Sequence, residues 1–280
     1  MGRTWVAALV AVMACAPAIS APARAEETDS SKAAEAAKVA KELSNPVADL
    51  ATIPLQFNWE NGVGENDDLR FVLNLQPVVP ISLDKNWTMV GRFILPYVSQ
   101  PAGLVPGSQV ASGTGDIVAS AFFSPKKPGL VWGVGPVFGL PTTTDPLLGS
   151  GKWSIGPTAV ALRQHGPWTL GALVNHLWSI SDTGDPKRSD VSQTLLQPFL
   201  SYATKNAVTF SINTESNYNW KAESGEEWTV PINVAVSKVA RMGPFPFSIQ
   251  AGGGYYAKSP VGGTDWKLRL AYTLILPRGK

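Results

Sequence analysis

The sequence predicts an all-β chain: a transmembrane antiparallel β-barrel of about twelve strands, preceded by a short N-terminal helix and an export signal. Three observations predict it. The 280 residues are 44% hydrophobic but only 16% charged, against the roughly 25% usual for soluble domains, so something other than a charged surface meets the surroundings. From Thr52 onward apolar and polar residues alternate with a period of two, the signature of strands with one greasy and one wet face. The segments between these runs alternate between short and long, as barrel turns and outer loops do.

The first residues read Met-Gly-Arg, an apolar run from Trp5 to Ala14, then small residues ending in Ala23-Arg24-Ala25. This is a secretory signal with an A-x-A cleavage site, and Val12-Met13-Ala14-Cys15 makes a poor lipobox for the alternative processing. The organisation that follows is a signal over residues 1–25, a helical periplasmic leader over 26–45 and a barrel over 46–280. Cys15, the single cysteine, leaves with the signal, so no disulfide framework or thiolate metal site is expected. Arg3 and Arg24 leave too, and taking these two from 23 basic residues balances 21 against 21 acidic ones. Such a chain has no bulk attraction for nucleic acid. No apolar run after Ala25 reaches roughly 18 residues, so a membrane span has to be a closed barrel, the one sheet that leaves no backbone group unpaired in lipid.

Glu26 to Leu43 is rich in Ala, Lys and Glu, with Ala33, Ala36, Ala40 and Leu43 at helical spacing and Ser44-Asn45-Pro46 as a stop. Its two readings are a solvated leader and a helix that enters the barrel as a plug. Strands are expected near 52–60, 69–79, 87–97, 115–124, 130–140, 153–163, 168–179, 193–203, 208–220, 228–238, 247–257 and 266–276. The clearest carries Val208, Phe210 and Ile212 on one face and Thr209, Ser211, Asn213 and Glu215 on the other.

Trp59, Tyr97, Trp153, Trp178, Tyr218, Trp220, Trp228 and Trp266 fall near the long-loop ends, and Trp87, Trp132, Trp168 and Tyr202 near the short turns. Two aromatic girdles follow. Pro54, Pro77, Pro96, Pro136, Pro157, Pro198 and Pro231 lie inside the expected strands. Proline cannot donate to a ladder, so bulges are expected at each.

Several segments resemble a known family: Ile53-Pro-Leu-Gln-Phe-Asn, Phe122-Phe-Ser-Pro-Lys-Lys-Pro-Gly, Trp132-Gly-Val-Gly-Pro-Val-Phe, Leu196-Gln-Pro-Phe-Leu-Ser-Tyr and Trp228-Thr-Val-Pro-Ile-Asn. The chain is similar to the outer-membrane proteins associated with the meta-cleavage pathway of phenol degradation, which are described as transporters. The resemblance implies a barrel in the cell outer membrane that takes up small, aromatic or hydrophobic compounds. It brings no site residues with it. Outer-membrane lipid, lipopolysaccharide, a small solute and the barrel-assembly machinery are the implied partners. The chain departs from the usual barrel ending, because Tyr272, Leu274 and Leu276 precede Pro277-Arg-Gly-Lys.

The polar face offers a lumen charge cluster of Glu60, Arg70, Arg92, Asp116, Glu215 and Arg269, with Lys267 beside them. Charges of both signs in a narrow pore select and orient a solute, or pair to brace the wall. The hairpin around Glu65 and closure of the last strand onto the first predict an Arg70-Glu60-Arg269 bridge. An outer-membrane hydrolase is the competing class: His176, one of two histidines, lies near Ser179 and the outer girdle, and hydrolysis needs a base beside its nucleophile. A purely structural barrel is the third. Gly252-Gly-Gly sits in a strand pattern and reads as lumen space, not a phosphate loop. No cofactor or metal ligand spacing is present in the sequence.

Overall fold

The computed structural model describes residues 23–104, 108–184, 188–243 and 245–276. The export signal expected over 1–25 lies outside these, save for the three residues with which helix α1 (Ala23–Leu43) begins. The strands are β1 (Thr52–Val63), β2 (Asp68–Leu75), β3 (Val78–Ser82), β4 (Trp87–Gln100), β5 (Ala111–Thr114), β6 (Ile117–Pro125), β7 (Leu130–Leu140) and β8 (Lys152–His165). They continue as β9 (Trp168–Asp182), β10 (Ser192–Ala203), β11 (Val208–Thr214), β12 (Ser216–Asn219), β13 (Trp228–Met242), β14 (Phe245–Lys258) and β15 (Trp266–Ile275). β2 with β3, β5 with β6 and β11 with β12 each form one stave in two pieces, which makes a closed antiparallel barrel of twelve. Closure runs from Thr52 opposite Ile275 to Asn61 opposite Trp266. The even count sends both ends of the barrel chain to one rim, the periplasmic one in barrels of this kind.

Alternation sets the two faces. Along β13 the side chains of Ile232, Val234 and Val236 are exposed while Asn233 between them is buried. Phe210 and Ile212 on β11 are likewise turned out, opposite Val236 and Val234. An apolar outer surface of this extent is stable only against lipid. The girdles stand at its edges: Trp87 meets Trp132 edge-on and Trp168 meets Tyr202 near the periplasmic rim, and Tyr218 meets Trp220 and Trp228 near the outer one.

The prolines mark where pairing lapses, yet most do so without a bulge. Pro54 and Pro77 face the interval between the Thr52–Val78 and Leu55–Leu75 pairs, where the register carries through unchanged. An extra residue appears at two of them. Leu95 and Pro96 face the three residues Gly115 to Ile117, and Ala257 is extra opposite Val230 and Pro231. Elsewhere the missing donor is absorbed by a skipped rung alone, so the expectation of a bulge at each proline is corrected.

The interior is not polar all round. Val90, Phe122, Val160, Leu162 and Leu173 point inward from β4, β6, β8 and β9 and are almost wholly buried. Val47, in the segment between α1 and β1, completes this cluster. Gly133 on β7 makes the room, because a Cβ there would stand 3.4 Å from Val47 Cγ1 and 3.3 Å from Phe122 Cβ. The helix itself stays at the periplasmic rim. Its Ala36, Val39, Ala40 and Leu43 pack on Ala207 and Val239, Arg241 pairs with Glu35 at 2.7 Å, and Gln164 Nε2 donates to Lys41 O at 3.1 Å. The plug is therefore the wedge after the helix. Pro46 ends the helix and the Val47 amide donates to Asn45 Oδ1 at 3.0 Å, an Asx turn that sends the chain inward.

Candidate functional site in the barrel lumen

Opposite the wedge, the walls from β10 round to β2 present serine, threonine, asparagine and glutamine to the lumen. Near the outer end they carry a charge network. Glu60 and Arg70 face each other across the β1–β2 ladder, and Glu60 Oε2 accepts from Arg70 Nε at 2.8 Å and lies 2.7 Å from Nη2. Tyr256 Oη donates to Glu60 Oε1 at 3.4 Å, and Arg70 Nη2 to Thr264 Oγ1 at 3.4 Å. Glu215 forms the second centre: Arg269 donates to its two oxygens from Nη1 and Nη2 at 3.0 and 3.1 Å, and Lys267 Nζ adds a bond at 3.2 Å. A two-pronged guanidinium–carboxylate pair fixes both groups in one plane.

Local structure explains why Glu215 can reach inward. It is the residue at which β11 gives way to β12. Pro198 lies in the β10 interval and Pro231 in the β13 interval where pairing with this stave lapses. Neither proline has an N–H to offer, so the ladder opens on both sides of Glu215. Gly254 on β14 clears the space beside it: a Cβ there would lie 3.1 Å from Lys267 Cε and closer still to Asn233 Oδ1.

The bridge Arg70-Glu60-Arg269 does not form. In the β1–β15 register Glu60 faces Lys267, and Arg269 faces Asn58, to whose Oδ1 it donates from Nε at 2.7 Å. Arg269 sits one inward position deeper than the bridge needs, and Glu215 takes its free edge. Asp116 also stands apart. It accepts from the amide and hydroxyl of Ser150 at 2.6 and 2.8 Å and from the Thr143 amide at 3.3 Å, which ties the loop between β7 and β8 to the β5–β6 junction. Arg92, on β4, lies below the network and donates to Gln76 Oε1 at 3.1 Å; Gln76 in turn donates to Gln56 Oε1 at 2.8 Å. Asn58 and Tyr256 went unrecognised in the sequence. Tyr256 had a signal, since it continues the inward set Ser248, Gln250, Gly252 and Gly254 of β14.

Two cavities follow this wall. One of about 220 Å³ lies among Glu60, Glu215, Tyr256, Lys267 and Arg269. The other, about 300 Å³, lies nearer the periplasmic end between the wedge and the polar wall. Asn217 borders the first, and its side-chain oxygen is buried without a hydrogen-bond partner.

The barrel is similar to the crystal structure of an outer-membrane channel from Pseudomonas putida F1, with a TM-score of 0.62 and 16% identity over 81% of this chain and 94% of that one. The fold is an outer-membrane barrel's. Looser overlaps are with outer-membrane phospholipase A of Escherichia coli (TM-score 0.45, 12% identity, 80% of this chain and 90% of that one) and with OpdK of Pseudomonas aeruginosa crystallised with vanillate (0.26, 9%, 81% and 98%). No protein-family model and no curated protein matches the chain.

His176 belongs to the outer face. It lies on the same side of β9 as the exposed Val174 and Trp178, and its ring centroid lies 4.1 Å from that of Trp178. Nδ1 lies 2.7 Å from Thr194 Oγ1 and Nε2 3.5 Å from Ser192 Oγ, both on β10. Ser179, the expected partner, instead donates to Asp190 Oδ1 at 3.3 Å and accepts from the Val191 amide.

Proposed function

We propose that the chain is an outer-membrane channel that lets small molecules pass along the polar wall of its lumen. The observation that carries this reading is the pairing of a closed barrel with two cavities on one wall, each bordered by charged and amide groups, while the wedge fills the opposite wall. Charges of both signs at a narrow point select and orient what passes. The family resemblance adds the substrate side, small aromatic or hydrophobic compounds, and the export signal adds the outer membrane as the location, with lipopolysaccharide and the barrel-assembly machinery as surroundings. The hydrolase alternative has less behind it, because Ser179 is engaged with Asp190 and the Val191 amide while the ring nitrogens of His176 face the Thr194 and Ser192 hydroxyls on the outer surface of the barrel.

Swelling of proteoliposomes loaded with a large sugar and diluted into small solutes tests it. Permeation that falls with solute size supports a channel, and liposomes sealed to every solute would leave a structural barrel.

A further inference from the structure

In the charge network of the polar wall the described residues bring four cations, Arg70, Arg92, Lys267 and Arg269, against two ion-paired carboxylates, Glu60 and Glu215. The pairs close upon themselves and leave Arg92 over. Its one hydrogen bond to a side chain goes to the neutral Gln76, and no carboxylate of the described residues lies within salt-bridge distance of it. Arg92 is partly buried and lines the cavity of about 300 Å³. A cation withdrawn from bulk water with no carboxylate in contact, Glu215 acting on it only from a distance, is costly to keep, and a ligand anion in contact lowers that cost.

We propose that Arg92 is the anchor of a binding site for a small organic monocarboxylate. The planar fork of a guanidinium matches a carboxylate edge to edge. Ser211, Asn213 and Gln250 border the same cavity and can donate to its oxygens, and Val78, Phe199 and Leu50 can cover an apolar body. The volume lies at the lower limit of small-molecule pockets, about 300–1,000 Å³, which restricts the body to a ring or a short chain. Glu42, at the end of α1, also lines the cavity. It disfavours a second negative charge on the ligand and turns the carboxylate toward Arg92. The anion thus supplies what the lumen lacks, one carboxylate at the unpaired cation.

The inference rests on the channel reading for what the site serves, not for binding. Equilibrium dialysis of benzoate against the folded full-length chain in a non-ionic detergent tests it, with benzamide as the neutral counterpart. Binding should be saturable, and benzamide should compete at least about tenfold more weakly. Arg92→Gln should weaken benzoate binding by about tenfold or more while the unboiled protein keeps its folded mobility on gels. Gln76→Glu places a carboxylate on Arg92 from within and should weaken binding comparably, which keeps the test open if Arg92→Gln fails to fold. Benzoate binding unchanged in the folded variants, equal competition by benzamide, or no saturable binding at all would overturn the proposal. A chain that conducts solutes but shows no Arg92-dependent binding refutes this inference alone; one that binds benzoate through Arg92 yet seals liposomes refutes the channel reading alone.

Discussion

The two walls of the lumen are built from the same strand pattern and do opposite things. On β4 to β9 the inward residues of the periplasmic half include Val90, Phe122, Val160, Leu162 and Leu173, and these are closed over by Val47. From β10 round to β2, apart from Leu195, Phe199 and Val72, the inward residues are mainly amides, hydroxyls and the two ion-pair centres, and the space beside them stays open. Apolar side chains facing one another in water collapse and exclude it, so the first wall needs a cover and recruits the wedge. Polar side chains remain satisfied by one another and by water, so the second needs none. One half of a barrel can thus be a packed core while the other keeps open space.

The largest effect that sharpens this contrast comes from Glu215→Gln. It leaves Arg269 and Lys267, whose side chains are 11% and 4% exposed, facing each other without a shared carboxylate. Removing one partner of a buried pair costs about 3–5 kcal/mol; with water on the lumen side, a loss on the order of 2–3 kcal/mol is expected in guanidinium unfolding of the reconstituted barrel. Unchanged stability would mean that the network braces nothing.

Val47→Asp tests the other wall. It sets a carboxylate among five buried apolar side chains, so the wedge should leave and the barrel should keep its folded gel mobility. The loss of docking should be about 2–4 kcal/mol, from the valine contacts and the desolvated charge together. Trypsin should then cut faster at Lys38 and Lys41. Protection equal to that of the native chain would show that the cluster does not hold the wedge.

Glu60→Gln should have a smaller consequence, because Arg70 keeps Thr264 as a partner and is partly open to water. A destabilisation of about 1–2 kcal/mol and a shift of ion preference toward anions are expected, the latter read from reversal potentials in a salt gradient. An unshifted reversal potential would remove Glu60 from the conducting path. Glu35→Gln comes last. Its pair with Arg241 is exposed at the rim, and surface pairs contribute roughly 0–1 kcal/mol, so trypsin sensitivity at Lys38 should barely rise. A large rise would place the hold on the helix in that ion pair and not in Val47.

The barrel was legible because strand alternation and turn length are local properties, written residue by residue: the Phe210–Ile212 and Ile232–Val236 runs determine their own faces. The contents of the lumen were less so, because they depend on which strands become neighbours across the interior. The alternation of Thr209, Ser211 and Asn213 on β11 announced an inward wet face. The alternation of Val160 and Leu162 with Ala159 and Ala161 on β8 carries hydrophobic residues on both faces and gives no hint that one meets Val47. The pairing of Arg269 with Glu215 required the depth of Glu215, which is set by Pro198 and Pro231 on strands far apart in sequence. Both prolines stood out as ladder breakers; what they expose became visible only once the strands were side by side.

Single-channel conductance in planar bilayers, compared between the chain with its wedge and a variant beginning at Ala51, tests most directly whether one wall is a passage and the other a plugged core. The account predicts a small, steady conductance for the wedged barrel and one several-fold larger without the wedge, because removing Val47 opens the apolar wall to water beside a path already present. Equal conductances, or a barrel that seals in both forms while keeping its folded mobility, would contradict it.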